Sequence, residues 1–160
     1  MSEGSPRSPA LRLVVFDIEG ARYALPLSAV EGILPMPAIA ALPQAPPIAL
    51  GAISLGGKVI PVLDLRRRLG FPPREFSLAA RLMVASTRHR RLALPVDDVR
   101  GVQEVAQSSV TSPGALLPGL RHLAGIVAMP DGLLYIHDLE AFLSLEEEAR
   151  LDAALREAGA

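Results

Sequence analysis

Cysteine and tryptophan are absent from this chain of 160 residues, and aromatic side chains make up only 4% of it. Without cysteine, neither a disulfide nor a thiolate metal site can form. Sixteen basic residues against 17 acidic ones leave no electrostatic attraction to nucleic acid or anionic lipid. No apolar run reaches the roughly 18 residues of a membrane helix, and the N-terminus lacks the hydrophobic stretch of a signal peptide. These absences predict a cytoplasmic protein without direct membrane insertion.

Patterns that carry catalysis or bind metals are also missing. The three histidines, His89, His122 and His137, stand neither at metal-ligand spacing nor beside a paired carboxylate. Neither a GxSxG nucleophile elbow nor a GxxxxGK[ST] phosphate loop occurs. Asp97 and Asp98 are adjacent, so on a strand they point to opposite faces and cannot converge on one substrate atom. We therefore expect no enzyme activity, no metal and no cofactor.

What the chain does contain is turn chemistry between short apolar segments. Half of its residues are hydrophobic, and it has 15 prolines and 13 glycines, as many short strands joined by turns require. The stretch GAISLGGKVIPVLDLRRRL, residues 51–69, predicts a hairpin followed by a helical turn. Gly56 and Gly57 can both adopt the positive φ of a tight hairpin turn. Asp64 is placed to cap the helical turn that follows.

A second copy of this unit lies downstream. Gly51 matches Gly125 and Asp64 matches Asp138, both at an offset of 74 residues. The segment Ala24-Leu25-Pro26 recurs as Ala93-Leu94-Pro95 at an offset of 69 residues. The chain is therefore one β module written twice, with a first copy at about residues 11–70 and a second at about 80–145. A period near 70 residues is too long for a solenoid unit and predicts two small barrels side by side.

The remaining elements follow from local patterns. Residues 1–10 predict a disordered tail, Ser28 a cap for a short turn, and residues 106–120 a long loop with a short helical turn. Residues 146–160 predict a C-terminal helix whose apolar stripe is Leu145, Ala149, Leu151 and Leu155. Beyond the central hairpin, strands are expected at Leu11–Ile18, Arg22–Leu27, Gly32–Met36, Arg81–Thr87, Arg91–Val96, Val99–Val105, Ala124–Met129 and Leu133–His137.

Two basic clusters and one histidine invite a functional reading. Residues 66–68 are three consecutive arginines, and residues 88–91 form an Arg-rich turn. A solvated face is the simpler interpretation of such short charge runs, and docking of an acidic partner is the alternative left open. His137 takes the place that Leu63 has in the first copy. We expect it at the barrel rim with its hydrogen bonds satisfied.

Four segments together resemble the CheW family of chemotaxis coupling proteins. They are GxxYALPLSAVEGI, GAISLGGKVIPVLDLRRRLG, LALPVDDVRGV and LAGIVAMPDGLLYIHDLEAFL, in this order. The resemblance runs from about Leu11 to Leu145. It implies a mainly β fold of two intertwined, SH3-like, five-stranded barrels, with short helical turns, a C-terminal helix and strands exchanged between the barrel halves. It also implies a non-enzymatic adaptor.

The resemblance implies two partners as well. The regulatory domain of a CheA-type histidine kinase would dock barrel to barrel, and a chemoreceptor cytoplasmic tip would bind in the groove between the barrels. Apolar residues that flank the Pro-rich connection are available for such contacts. The candidate kinase interface is Ile39, Leu42 and Pro43, and the candidate receptor groove is Val30, Gly32, Ile33, Leu55 and Gly56.

Two positions depart from the family pattern. Gly32 stands where an acidic residue is usual, with Glu31 one position early, and Gly56 stands where arginine is usual. Losing both charges together avoids leaving one without its partner, which predicts an altered receptor interface. The alternative is a tighter turn with receptor binding preserved through Val30, Ile33 and Leu55. A peptide-binding SH3-like module outside chemotaxis is a further alternative, which four phenylalanines and two tyrosines supply poorly with an aromatic groove.

Overall fold

The structure is a computed structural model that describes residues 9–112 and 122–159. Residues 1–8 of the tail predicted at 1–10 and residues 113–120 of the loop predicted at 106–120 lie outside the described residues, while Ala10 already begins a strand. The described chain is mainly β, as predicted. Its strands are β1 Ala10–Ile18, β2 Ala21–Pro26, β3 Val30–Pro35, β4 Ala49–Leu55, β5 Lys58–Leu63, β6 Arg81–Ser86, β7 Arg91–Val96, β8 Asp98–Ala106, β9 Val110–Thr111, β10 Leu123–Met129 and β11 Gly132–His137. The helices are α1 Leu65–Arg68 and α2 Leu145–Glu157, with 3-10 turns at Leu27–Ala29, Gln107–Ser109 and Leu139–Ala141.

The strands form two sheets, and each sheet draws on both sequence copies. The first barrel has the strand order β8-β1-β2-β11-β10-β9, and the second has β3-β6-β7-β5-β4. A hairpin from one copy therefore lies next to strands of the other copy in each barrel. The joins are equivalent, because β2 runs parallel to β11 in the first barrel and β5 runs parallel to β7 in the second.

Turn and cap residues form the hairpins as expected. Gly56 and Gly57 have φ of 59° and 79°, which only glycine adopts without strain. The Asp64 carboxylate accepts a hydrogen bond from the Arg67 amide at 3.1 Å and so begins α1. Asp138 caps the equivalent turn of the second copy. Ser28 was predicted wrongly, because it lies inside the Leu27–Ala29 turn and its side chain makes no cap.

Matching irregularities occur where the two copies begin their second hairpin. The register shifts between Ala49 and Gly51 against β5, and between Leu123 and Gly125 against β11. At Gly51 a Cβ would lie 2.1 Å from the carbonyl oxygen of Ala40, and at Gly125 it would lie 2.2 Å from Cγ1 of Val110. Both glycines are needed because a neighbouring segment passes directly over the strand.

Three apolar clusters hold the molecule together. The shared core lies between the barrels and includes Phe16, Leu25, Leu63, Leu94 and Phe142. Each barrel also has a smaller interior of its own. These interiors are Leu13, Val15, Ala24, Val105, Val127, Leu134 and Ile136 in the first barrel, and Ile53, Ile60, Val62, Leu82 and Ala93 in the second. Because the shared core takes side chains from both barrels, the two barrels pack as one body.

Helix α2 closes over the shared core with only half of the predicted stripe: Leu151 and Leu155 are confirmed, and Leu145 and Ala149 are wrong. Leu151 and Ala154 are buried and Leu155 packs against them, whereas Leu145 is 89% exposed and Ala149 is also exposed. At about 100° per residue, Ala149 lies on the opposite side of the helix from Leu151. Ser144 and Glu147 form a capping box that begins the helix.

Candidate protein-docking surfaces

The candidate receptor residues occupy two edges of the second barrel. Val30, Gly32 and Ile33 belong to β3, while Leu55 and Gly56 lie at the hairpin between β4 and β5. Ile33 is 41% exposed and Gly56 is exposed, whereas Val30 packs against the shared core. Leu55 packs against the interior of the second barrel, so it presents only part of its side chain to solvent.

The acidic residue beside Gly32 is engaged inside the molecule. The register of β3 shifts between Val30 and Gly32, which makes Glu31 the extra residue of a β-bulge. Its carboxylate accepts hydrogen bonds from the Ser86 hydroxyl and from Nε of Arg91, the latter at 2.9 Å. The Ser86 hydrogen bond and, to a lesser degree, Arg91 hold the pKa of Glu31 below its usual value, against the effect of burial. This carboxylate is therefore occupied by β6 and β7.

The candidate kinase residues are not equally accessible. Leu42 is 9% exposed and belongs to the shared core, because the loop that carries it turns inward. Ile39 packs partly against the interior of the second barrel, and Pro43 is exposed. Gln44 follows with a φ of 68°, a strained conformation for a residue with a side chain. Of the three positions, Ile39 and Pro43 are the ones that face solvent.

A shallow depression adjoins these residues. It has a volume of about 270 Å³ and is bounded by the Pro-rich connection, by β4 and by the last turn of the chain. Its lining is small and mostly apolar: Ala38, Ala40, Ala41, Leu42, Ala52, Ile53, Ser54, Val59 and Ala158. Such a surface suits contact with an apolar side chain of another protein rather than catalysis.

The first basic cluster is structural, contrary to the solvated face that we expected. Arg66 is 4% exposed, donates a hydrogen bond to the Glu19 carboxylate and lies 3.5 Å from Asp97. Arg74 approaches Glu19 to 3.3 Å from the exposed side. The Arg66 hydrogen bond lowers the pKa of Glu19, so that carboxyl stays ionised. Of the three arginines, Arg67 is the exposed one.

Arginines from both basic clusters hold helix α2 in place. Arg68 donates to Glu147 at 2.6 Å, and its guanidinium lies 5.4 Å from the ring centre of Phe142. Arg90 donates to Glu148 at 2.7 Å and also to Asp152. Because Arg68 belongs to the first copy and Arg90 to the second, α2 ties the two copies together.

His137 is buried at the end of β11 and is not satisfied at a rim as predicted. It is 1% exposed, and neither ring nitrogen has a hydrogen-bond partner among the described residues. Its ring lies parallel to that of His122, with 6.3 Å between ring centres, and tilted against Phe142 at 5.5 Å. Burial first, and then the charges of His122 and Arg68, lower the pKa of His137 to about 3. It is therefore a neutral core residue near pH 7.

No convergent chemical centre emerges within residues 9–112 and 122–159. These residues contain no group of three or more histidine, aspartate or glutamate side chains arranged to hold a metal ion. Asp97 accepts a hydrogen bond from the Glu19 amide at 2.8 Å, while Asp98 bonds the Val99 amide, so the adjacent pair separates as expected. In the same described part of the chain, no helix is long and apolar enough to cross a bilayer.

The sequence did not reveal the ion pairs that surround these surfaces. One signal was present, however, because the repeat offsets place Glu19 at Arg88 and Arg66 at Glu140. Arg88 does pair with Glu140, with Nε 3.4 Å from the carboxylate. The same contact between a hairpin turn and a helical turn thus occurs twice, with the two charges interchanged.

Comparison with known proteins places this architecture. The sequence profile described as the CheW-like domain matches residues 12–147. The chemotaxis protein CheW of Bacillus subtilis is 30% identical over 137 residues, which cover 84% of this chain and 88% of that protein. The probable chemotaxis protein CheW of Rhizobium etli is 29% identical with the same coverage.

A solved structure gives the same answer for the fold. The scaffolding protein TtCheW of Thermoanaerobacter tengcongensis superposes with a TM-score of 0.79 at 26% identity, covering 87% of this chain and 96% of that one. The two barrels that the repeat predicted and the SH3-like fold that the resemblance implied are thereby confirmed, with six strands instead of five in the first barrel. With the profile spanning nearly all of the described residues and the relatives matched almost end to end, the chain belongs to the CheW-like domain family.

Proposed function

We propose that this protein is a non-enzymatic adaptor of a chemosensory complex, which couples a CheA-type histidine kinase to chemoreceptors. The observation that carries the proposal is the CheW-like domain match over residues 12–147, on a platform of two barrels packed around one shared core. A single packed body suits a scaffold, since rigid surfaces lose little entropy on binding. Each contact would be modest, and a receptor array in the cytoplasm would gain strength from many of them.

The receptor surface lies on the β3 edge of the second barrel. Ile33 offers an exposed apolar side chain there, Val30 is partly exposed on the same strand, and Leu55 is partly exposed at the hairpin between β4 and β5. Gly32 and Gly56 leave this surface without the acid and the base that the family pattern has. Glu31 does not replace the acid, because it is already paired with Ser86 and Arg91. We therefore expect the receptor interface to depend on apolar contact and to bind its receptor less tightly than an interface that has both charges.

The kinase surface is formed by Ile39, Pro43 and the alanine-lined depression beside them. Leu42 contributes from beneath, by holding the loop against the shared core. Apolar side chains of the kinase regulatory domain would fill the depression. Loss of a single exposed anchor should weaken such an interface by tenfold or more, about 1.4 kcal/mol.

Binding assays with a receptor signalling fragment and with a kinase regulatory domain test the assignment of both surfaces. Ile33→Ser should weaken binding of the receptor fragment and leave kinase binding intact, and Pro43→Glu should do the reverse. Leu145→Ser removes an apolar side chain that is exposed on α2, and serves as the matched control for both partners. The proposal fails if the unmodified protein binds neither partner.

Restoring the missing charges tests the altered receptor interface. Gly32→Glu is accommodated, because no described atom lies within 4 Å of a Cβ at that position and its φ is not in the left-handed region. Gly56→Arg is strained by the φ of 59°, so Gly56→Ala is the control that isolates the backbone effect. The double variant Gly32→Glu/Gly56→Arg should bind the receptor fragment more tightly than Gly32→Glu/Gly56→Ala. Equal binding by the two would refute the charge argument.

A further inference from the structure

The strand pairs that build the two barrels from separate hairpins join one sequence copy to the other. In the described part of the chain, pairing within a copy is confined to each hairpin and the short segment beside it. Where a hairpin pairs with a strand outside its own hairpin and the short segment beside it, that strand belongs to the other copy. These cross-copy pairs are β1 with β8, β2 with β11, β3 with β6 and β5 with β7.

Neither copy therefore contains a complete barrel of its own: the first contributes hairpins with single neighbouring segments, and the second extends one hairpin only by the two-residue strand β9. An isolated two-stranded hairpin is at best marginally stable in water, and three or more strands with an apolar face are needed for independent stability. The shared core has the same dependence, because Phe16 and Leu25 of the first copy pack with Leu94 and Phe142 of the second. Each copy is completed only by the other.

The covalent connection between the copies is separate from this pairing. Residues 70–80 link α1 to β6 without forming a strand or helix. Pro72, Pro73 and Glu75 are exposed, and Leu78 is fully exposed. Consecutive prolines favour an extended path that holds the two copies apart, and exchange of equivalent elements between identical chains is a low-cost route to a dimer.

We infer that two chains of this protein can complete each other's barrels, the first copy of each chain pairing with the second copy of the other. The partner is a second copy of this chain, and the surface is the set of cross-copy strand pairs. The exchanged dimer keeps all four pairings twice and differs from two monomers only in the course of residues 70–80. The exchanged dimer carries two complete docking platforms, and no covalent bond joins its two chains.

Concentration decides between the two arrangements. A short connection without strand or helix gives an effective concentration on the order of 1 mM for the copy on the same chain. Refolding at a chain concentration of about 0.1 mM should therefore produce exchanged dimer from roughly one chain in ten, and refolding at about 1 µM should produce almost none.

The absence of cysteine allows a direct test on the full chain. Arg12 of β1 and Glu104 of β8 are exposed and directly opposite across the copies. Paired antiparallel residues have Cα atoms about 5 Å apart, within the range that a disulfide spans. Arg12→Cys and Glu104→Cys are made on separate chains, unfolded together, refolded at about 0.1 mM and oxidised. Half of the exchanged dimers contain one chain of each variant, so a disulfide between the chains should form in roughly one chain in twenty.

Three controls make the result decisive. The double variant Arg12→Cys/Glu104→Cys should close a disulfide within one chain, which shows that the pair can bond. Arg12→Cys mixed with Leu145→Cys measures random collision between exposed thiols. A second pair, Pro35→Cys with Arg81→Cys, repeats the test in the second barrel, where these residues face each other on β3 and β6. Cross-chain disulfide no greater than the collision control, at both pairs, would overturn the inference.

Discussion

Acid should destabilise this fold through one buried imidazole. His137 has no hydrogen-bond partner among the described residues, and its neighbours His122 and Arg68 carry or can acquire positive charge. Protonating His137 in the folded state would create a buried cation without a counter-ion, which is costly. In the unfolded chain the same imidazole titrates near its ordinary pKa of 6.5.

The sign and size of the effect follow from the two pKa values. Between pH 6.5 and about pH 3 the unfolded state binds a proton at residue 137 that the folded state does not. Stability from this residue is therefore fully present above pH 6.5 and decreases as pH falls. At about 1.36 kcal/mol per pH unit, the loss is about 2 kcal/mol at pH 5 and approaches about 5 kcal/mol near pH 3.

The matched substitution comes from the chain itself. Leu63 occupies the equivalent position of the first copy and is fully buried in the shared core. His137→Leu should stabilise the protein by about 1–3 kcal/mol at pH 7, because it removes two buried polar atoms without partners. At pH 5 the difference from the unmodified protein should be about 2 kcal/mol larger.

Urea unfolding followed by circular dichroism at pH 7, 6 and 5 measures the difference. Carboxyl groups also titrate over part of this range, but they are common to both proteins, so their effect on stability cancels in the comparison. His89→Gln removes an exposed histidine in a turn and is the control for the loss of one imidazole from the chain. If the gain from His137→Leu were the same at pH 5 as at pH 7, the reasoning about a buried neutral imidazole would be wrong.

Two further sets of substitutions test the packing by thermal unfolding. Gly51→Ala should lower the midpoint more than Gly125→Ala, since the new Cβ would lie 2.1 Å from a backbone oxygen in the first case and 2.2 Å from a side-chain methyl, which can rotate, in the second. Gly32→Ala, in open space among the described residues, should have little effect, and an equal loss at all three would contradict the argument. Arg66→Met should lower the midpoint by about 5 °C or more, because two carboxylates lose their buried cation. Arg67→Met on the exposed side of α1 is its control, and similar losses from both would show that burial of Arg66 does not matter.

Backbone-determined features were predictable from the sequence alone. Paired glycines at 56 and 57 specify a hairpin turn through their φ angles, and aspartates at 64 and 138 specify helix starts through their caps. The repeat then relates one half of the chain to the other. These signals are local, so they need no knowledge of what packs where.

Features that depend on distant partners were not predictable in the same way. Leu42 was predicted to contact a partner, but its loop places it in the shared core. Leu145 was predicted to be a core residue, but it is the first residue of α2, after the Ser144 cap, and it is exposed. The sequence places Glu31 one position before the usual acidic residue, but its role is set by Ser86 and Arg91, which are more than 50 residues away. Exposure of a side chain depends on contacts of this range, which composition and spacing do not encode.

The interchanged ion pairs show what the repeat conserves between its copies. Glu19 with Arg66 and Arg88 with Glu140 join the same two elements in opposite polarity, so the position is kept and the sign of each charge is not. Their environments differ as well, because Arg66 is buried whereas Arg88 is exposed. An exposed pair contributes little to stability, while a buried one is costly to break. The two joints are therefore equivalent in geometry and unequal in strength, and separation of the two barrels should begin at the Arg88–Glu140 joint.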